Sequence, residues 1–372
     1  MTEIYLIRHA QAEGNTYRMM QGHWDGKLTP TGHLQVEALA ERFRDISVDA
    51  LYSSDLIRTV ETAGAITKYH DLPIRTDPAL REINMGPWEL QFYGNLQHYQ
   101  PEAARFFWND PEKWYIEGAE TYADVTARAV PALRRIAEAN DGKTVAVVSH
   151  GVACRCILAA LTHRPLVGEN ALPIFGNTAV SRLLYSGGEF TVDYFGDCSH
   201  TAHIPLPKWE NVPYLWDAPF DSEKDGEFYK ACYADAWTCA HGDLTGFSPL
   251  PYLQSAVKHS LDGPGSVLCL YEGENRVGVI DMDPHRGESL GCGWISLLYV
   301  REEYRHRSVG VQALARALAY FSARGRRAIR LNVAESNADA VRFYTRWGFR
   351  QISYENAPAG RLLLMERPLE TT

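Results

Sequence analysis

The apolar residues of this 372-residue chain fall into two blocks with different rhythms. Up to about residue 200, short apolar runs alternate with stretches of helical period. Runs at 3–8, 49–53, 144–149, 178–185 and 190–195 read as strands, and 30–45, 55–69, 119–139 and 151–161 as helices. Such alternation predicts an α/β unit with a largely parallel sheet under helices. The pattern breaks at 201–220, where Ile204-Pro205-Leu206-Pro207-Lys208 precedes Pro213 and Pro219. Prolines at that density predict a linker or domain edge. Beyond it come a helix at 221–240, strands at 266–272, 276–283 and 292–300, a helix at 308–323, a strand at 328–334 and a helix at 337–346, with two more strands to close. The length suits two domains. The expected division is 1–205, a linker at 206–220, and 221–372.

Composition narrows the partners. Lys and Arg number 37 against 46 Asp and Glu, a formal net charge of −9, which argues against a nucleic-acid partner. A local positive pocket for a small anion stays open. The seven cysteines are odd in number, with no CxxC, so reduced thiols in a cytoplasmic protein are expected rather than disulfides or zinc. No apolar stretch is long enough to span a bilayer, and the opening run Ile4-Tyr5-Leu6-Ile7 reads as a strand rather than a signal peptide.

Candidate chemistry in the first block lies at strand ends. One strand ends in Arg8-His9-Ala10, another in Ser149-His150-Gly151. Parallel strands share a carboxyl edge where ligands bind, so His9 and His150 can meet there. Arg58 starts a helical stretch after a third strand end, and Glu82 lies in Leu80-Arg81-Glu82-Ile83. Taken singly, each is an ordinary structural or surface residue. His23, His98, His163, His200 and His203 read as structural or surface residues as well.

Taken together they resemble the histidine phosphatase superfamily, also called phosphoglycerate-mutase-like. The resemblance rests on Arg8-His9-Ala10-Gln11-Ala12-Glu13-Gly14-Asn15, on Gln21 to Gly32, on Ser53 to Arg58, on the Glu82 segment and on Ser149-His150-Gly151, in that order over about residues 1–200. It implies a three-layer αβα fold. It also implies that His9 is the nucleophile and that Arg8, Asn15, Arg58 and His150 hold the phosphoryl oxygens. Glu82 would protonate the leaving oxygen and later deprotonate water. No metal is required in that chemistry, because arginines supply the charge. The substrate would be a small phosphorylated metabolite. Ala10 and Leu90 stand where the family usually has Gly, and Leu90 implies a reshaped substrate pocket. The short segment from Trp88 to Thr121 offers only Arg105 and Lys113 as extra cations, which favours a phosphatase over a phosphoglycerate-type mutase. Its aromatics read as a lid or core, or as contacts to an organic leaving group.

In the second block, a buried strand ending Leu297-Leu298-Tyr299-Val300 leads through Arg305-His306-Arg307-Ser308-Val309-Gly310 into a helix. A strand, a tight turn and a helix start make an anion site. Asn337 and Gly348 bracket a further helix carrying Tyr344. These residues resemble the GNAT N-acetyltransferase family, whose pyrophosphate signature runs Arg or Gln, two residues, Gly, one residue, Gly or Ala. Ser308 replaces the first Gly. The resemblance covers about 215–368 and implies an α+β domain with a mixed central sheet. Acetyl-CoA would be the co-substrate and an amine the acceptor. Arg305, Arg307, Ser308, Val309 and Gly310 would hold the pyrophosphate, Leu298 and Val300 would pair with the pantetheine arm, and Asn337 would touch the coenzyme. Tyr344 would be the general acid; the general base is unassigned. The whole chain reads as a bifunctional phosphatase and N-acetyltransferase. The alternative is a phosphatase whose GNAT half only binds acyl-CoA or regulates.

Overall fold

The computed structural model describes residues 1–206, 211–357 and 360–369. The chain divides into two compact units, Met1–Pro207 and Lys208–Thr372.

The front unit is built on β1 (Thr2–Arg8), β2 (Ala50–Ser53), β3 (Ile74–Thr76), β4 (Thr144–Ser149), β5 (Val180–Ser186) and β6 (Glu189–Asp197). Their spatial order is β3-β2-β4-β1-β5-β6. The first four are mutually parallel; β5 and β6 run antiparallel at one edge. Successive side chains of β1 point to opposite faces. Ile4 and Leu6 pack with Leu133, Ile157 and Leu158 from α6 (Tyr122–Glu138) and α7 (Gly151–Thr162). Tyr5 and Ile7 pack with Leu39, Phe43, Ala63 and Ile66 from α2 (Pro30–Phe43) and α3 (Ile57–Thr67). The sheet therefore has helices on both faces, in the three-layer arrangement. Each fully buried aliphatic side chain contributes about 1.5–3 kcal/mol to that core. A short helix, α1 (Glu13–Tyr17), follows β1, and α4 (Tyr93–Tyr99) and α5 (Pro101–Asn109) fill the aromatic segment before α6. There Trp88, Phe107, Trp114 and Tyr122 form a core cluster of their own.

The second unit has a seven-stranded sheet. In chain order its elements are β7 (Trp216–Pro219), α8 (Ser222–His241), α9 (Pro249–Asp262), β8 (Val267–Glu272), β9 (Asn275–Asp283), β10 (Cys292–Val300), α10 (Val309–Ser322), β11 (Ala328–Ala334), α11 (Ala338–Arg346), β12 (Arg350–Ala357) and β13 (Gly360–Pro368). The order β12-β13-β11-β10-β9-β8-β7 is antiparallel except at β10 and β11, so the sheet is mixed.

The stretch read as a linker at 206–220 is partly ordered into this sheet. Trp216–Pro219 pairs with β8, and Trp216 stacks on Tyr271 at 4.2 Å between centroids. Residues 207–210 lie outside the described residues. All seven cysteines are free thiols. Among the described residues no helix is long and apolar enough to cross a membrane.

Candidate functional site

Strands β1, β2 and β4 end together. Arg8 lies opposite Ser149 in register, the His9 N–H donates to Ser149 O at 2.9 Å, and the Ser54 N–H donates to Val148 O at 2.9 Å. That common edge brings His9 and His150 edge to face, with ring centroids 5.2 Å apart. His9 Nδ1 lies 2.7 Å from Ala10 O. A carbonyl only accepts, so the proton sits on Nδ1 and Nε2 keeps its lone pair. Burial, then the charges of Arg58 and Arg8, push the His9 pKa well below the usual range, which keeps the ring neutral.

Around this ring sit donors with no protein acceptor. Arg58 and His150 are fully buried and His9 nearly so. Arg8 Nε, Arg58 Nε and His150 Nδ1 are buried without a hydrogen-bond partner. His150 Nε2 meets Ser54 Oγ at 2.9 Å; with that hydroxyl donating, Nδ1 carries the proton. Burial, then Arg58, lowers the His150 pKa as well. Unpaired buried donors cost on the order of 1–3 kcal/mol each, so such a cluster is explained by an anionic ligand. Burial even lowers the Arg58 guanidinium to about 10. Gly151 packs on Arg8, where a Cβ would come 3.3 Å from Nε.

Each group is held in place. Arg58 donates to Trp24 O at 2.9 Å and Gly22 O at 2.7 Å. That loop is in turn pinned by Glu89, whose carboxylate accepts from the N–H groups of Gly22, His23, Trp24 and Met85 at 2.6–3.2 Å. Arg8 donates to Phe175 O. Asn177 donates to His9 O at 3.1 Å and to Asn15 Oδ1 at 3.2 Å. Glu82 accepts from the N–H groups of Ile83, Val152 and Ala153, each at 3.1 Å, so it caps α7 beside His150. Arg128 holds the Glu82 loop through Ala79 O, Arg81 O and Glu82 O at 2.8–2.9 Å.

A cavity of about 620 Å³ opens over the cluster, and Arg8, His9, Asn15 and Glu82 line it. Arg58 and His150 lie outside that lining, buried behind it. Tyr93, Phe107, Trp108 and Tyr122 form part of the wall, so the aromatic segment is both core and wall. Arg105 lies over Phe106 and Lys113 pairs with Asp110 at 2.6 Å; neither reaches the cavity. Leu90 reaches the cavity wall through its backbone, its N–H donating at 3.1 Å to the carbonyl of Met20, a lining residue. Leu90 itself is outside the lining and occupies a left-handed backbone position with φ 65°, where Gly fits without strain. Ser54, Glu89, Arg128, Arg155 and Asn177 escaped the sequence reading. Arg155 alone left a usable signal, being one helical turn after Gly151.

In the second unit, β10 and β11 pair only from Cys292–Ile295 to Ala328–Leu331. A register shift against β9 falls between Ile295 and Leu297, and beyond it Leu297–Val300 pairs with β9 alone. Leu298 and Val300 therefore lie on an opened edge, which suits strand-like addition of an extended ligand arm. The loop that follows reaches α10 through His306 and Ser308, both left-handed, with φ 59° and 57°. Ser308 is the N-cap of α10, followed by Val309, and Gly310 leaves 3.4 Å between a would-be Cβ and Phe343. The arginines are engaged. Arg305 donates to Val300 O at 2.9 Å and meets Asp235 at 3.0 Å. Arg307 meets Glu272 with two contacts at 2.9 and 3.2 Å. Asn337 caps α11 by accepting from the Ala340 N–H at 3.1 Å. Tyr344 is buried against Phe343 and Phe349, and burial pushes its phenol pKa up. The opened edge, tight turn and helix start fit a coenzyme with an extended arm and a pyrophosphate. Among the described residues, no group of three or more His, Cys, Asp and Glu side chains could hold a metal ion.

Comparison with known proteins agrees with both geometries. The sequence model of the histidine phosphatase superfamily (branch 1) matches residues 4–198, and that of the acetyltransferase (GNAT) family matches 227–349. The probable phosphoglycerate mutase GpmB of Enterobacter sp. (strain 638) is 31% identical over 205 residues, 54% of this chain and 95% of that protein. Its counterpart in Yersinia enterocolitica serotype O:8 / biotype 1B is 32% identical over 217 residues, 57% of this chain and 99% of that protein. Among solved structures, Bacillus stearothermophilus YhfR is similar with a TM-score of 0.52 and 34% identity, over 54% of this chain and 99% of that one. The chain belongs to the histidine phosphatase superfamily and carries a GNAT acetyltransferase domain later in the sequence.

Proposed function

We propose that the chain is a bifunctional enzyme, hydrolysing phosphomonoesters in its front unit and acetylating an amine in its second. The observation that carries the front-unit reading is the ring of buried, unpartnered donors around a neutral His9. His9 Nε2 attacks phosphorus and the P–O bond to the alcohol breaks. Glu82 gives its proton to the departing oxygen. Water then attacks the phosphohistidine, Glu82 takes a proton from it, and the P–N bond breaks to release phosphate and restore His9. Arg8, Arg58 and His150 hold the phosphoryl oxygens, with Asn15 at the cavity edge, and no metal is needed for that role.

Hydrolysis is favoured over mutase chemistry by the cations. A mutase must grip a second phosphate of about −1.5 to −2 charge, and Arg155 is the one further arginine or lysine in the lining. The test is hydrolysis of para-nitrophenyl phosphate at mildly acidic pH with a chelator present. Activity that survives the chelator and is lost in His9→Ala supports the reading; equal activity in both proteins contradicts it.

In the second unit, acetyl-CoA when bound supplies the activated acetyl group. The opened edge at Leu298 and Val300 and the turn through Arg305, Arg307, Ser308, Val309 and Gly310 would hold it, with Asn337 beside it. Tyr344 keeps its phenolic proton through burial and is the proposed general acid. A second reading, that this unit binds acyl-CoA without transferring acetyl, is favoured by one feature. Both loop arginines are paired with acids, Asp235 and Glu272. Acetyl transfer to a panel of amines, measured with wild type and Tyr344→Phe, decides between them.

A further inference from the structure

Four half-buried arginines of the front unit meet a carboxylate: Arg42 with Asp197 at 2.6 Å, Arg81 with Asp55 at 2.5 Å, Arg128 with Glu120 at 2.7 Å and Arg182 with Glu3 at 2.8 Å. Arg8, Arg58 and Arg155 do not pair with any carboxylate among the described residues, and each has a buried Nε without a partner. All three belong to the phosphate site or its cavity. Glu82 offsets part of the charge of Arg8 and Arg58, and the phosphate they are proposed to hold takes up the rest. Neither task falls to Arg155.

Arg155 follows Gly151 by four residues on α7, on the same helix face and about 6 Å further along the axis. Both residues line the cavity. Arg155 Nη2 donates to Leu166 O, which fixes the guanidinium at the wall while Nε stays unsatisfied. Nearby wall residues, Phe107, Trp108 and Tyr122, are aromatic. A guanidinium in such surroundings interacts with an anion more strongly than one in water, and its planar fork suits a carboxylate.

We propose that Arg155 is a specificity-determining residue that binds a carboxylate on the alcohol half of the substrate. The preferred substrate class is then a phosphomonoester of a ring-sized, largely apolar hydroxy acid. The cavity is far larger than a phosphate needs, and its wall suits the ring. The proposal rests on the phosphatase reading above.

Two measurements on the full chain separate the claims. The first compares kcat/KM for 4-carboxyphenyl phosphate and its neutral isostere 4-carbamoylphenyl phosphate in wild type, Arg155→Gln and Arg155→Lys. The second compares calorimetric binding of the inert 4-carboxybenzylphosphonate and 4-carbamoylbenzylphosphonate. Wild type is expected to prefer the carboxylates roughly tenfold or more, the strength of one charged hydrogen bond. The preference should collapse toward unity in Arg155→Gln and return in part in Arg155→Lys. An equal loss on both substrates would make Arg155 only an anchor for Leu166 and overturn the proposal. So would turnover with no preference in wild type, which leaves the phosphatase reading standing. Binding preference without turnover would keep the subsite and overturn the phosphatase reading instead.

Discussion

His9 and His150, 141 positions apart in sequence, meet edge to face at 5.2 Å because β1 and β4 pair in parallel and end at the same level. His150 Nδ1 is a buried donor with no protein partner, so its proposed task is to hold a developing phosphoryl charge. Replacing His150 by Ala should lower kcat/KM roughly 10²–10³-fold, the effect of losing one preorganised donor. Circular dichroism checks that the fold survives. A loss below tenfold would remove His150 from the phosphoryl cradle.

Glu82→Gln separates capping from acid catalysis. Glutamine keeps one oxygen to accept from the Ile83 and Ala153 N–H groups, gives up only the Val152 bond, and has no proton to give. Hydrolysis of an alkyl phosphate should fall roughly 10²–10⁴-fold. Para-nitrophenyl phosphate, whose leaving group needs little protonation, should lose much less. Equal losses on both substrates would mean that Glu82 acts only through structure.

The buried histidines make the front unit acid-sensitive. In the folded state His9 and His150 titrate well below the usual range and His200, through burial and Arg42, at about 4. Below about pH 6.5 the unfolded chain binds protons that the folded chain refuses, so stability falls as pH drops. Urea midpoints at pH 7 and pH 5 should show the loss in the transition that vanadate shifts. A midpoint that rises on acidification would contradict the assignment.

Glu272 competes with an anionic ligand for Arg307 in the second unit. The pair is about a third exposed, so solvent screens it and its worth is at most about 1 kcal/mol. Glu272→Gln should therefore tighten CoA binding by up to roughly fivefold, most clearly at low salt. Calorimetry on the full chain reads this directly, and unchanged affinity would show that Arg307 does not face the ligand.

What the sequence disclosed follows from how local each signal was. The strand-end histidines were legible because a parallel sheet collects strand ends on one edge. Both folds were legible through their ordered motifs. Strand Trp216–Pro219 has a linker-like sequence because its one proline, Pro219, suits an edge strand, where a missing N–H costs no ladder bond. Helix α9 hid behind Pro249 and Pro251, which are tolerated in a first helical turn. Glu89, Arg128 and Asn177 act on backbone groups far away in sequence, and nothing in their immediate neighbours reveals that. Ser308 stands where the GNAT signature has Gly, and its left-handed conformation shows where the strain falls.

The central claim is a phosphoryl group carried on His9. The most direct measurement is rapid quench of the full chain in alkali after mixing with a ³²P-labelled monoester, followed by peptide mapping. The account predicts a transient, acid-labile, alkali-stable label on the peptide containing His9, absent in His9→Ala. Hydrolysis that continues in His9→Ala, or a label on any other residue, would contradict it.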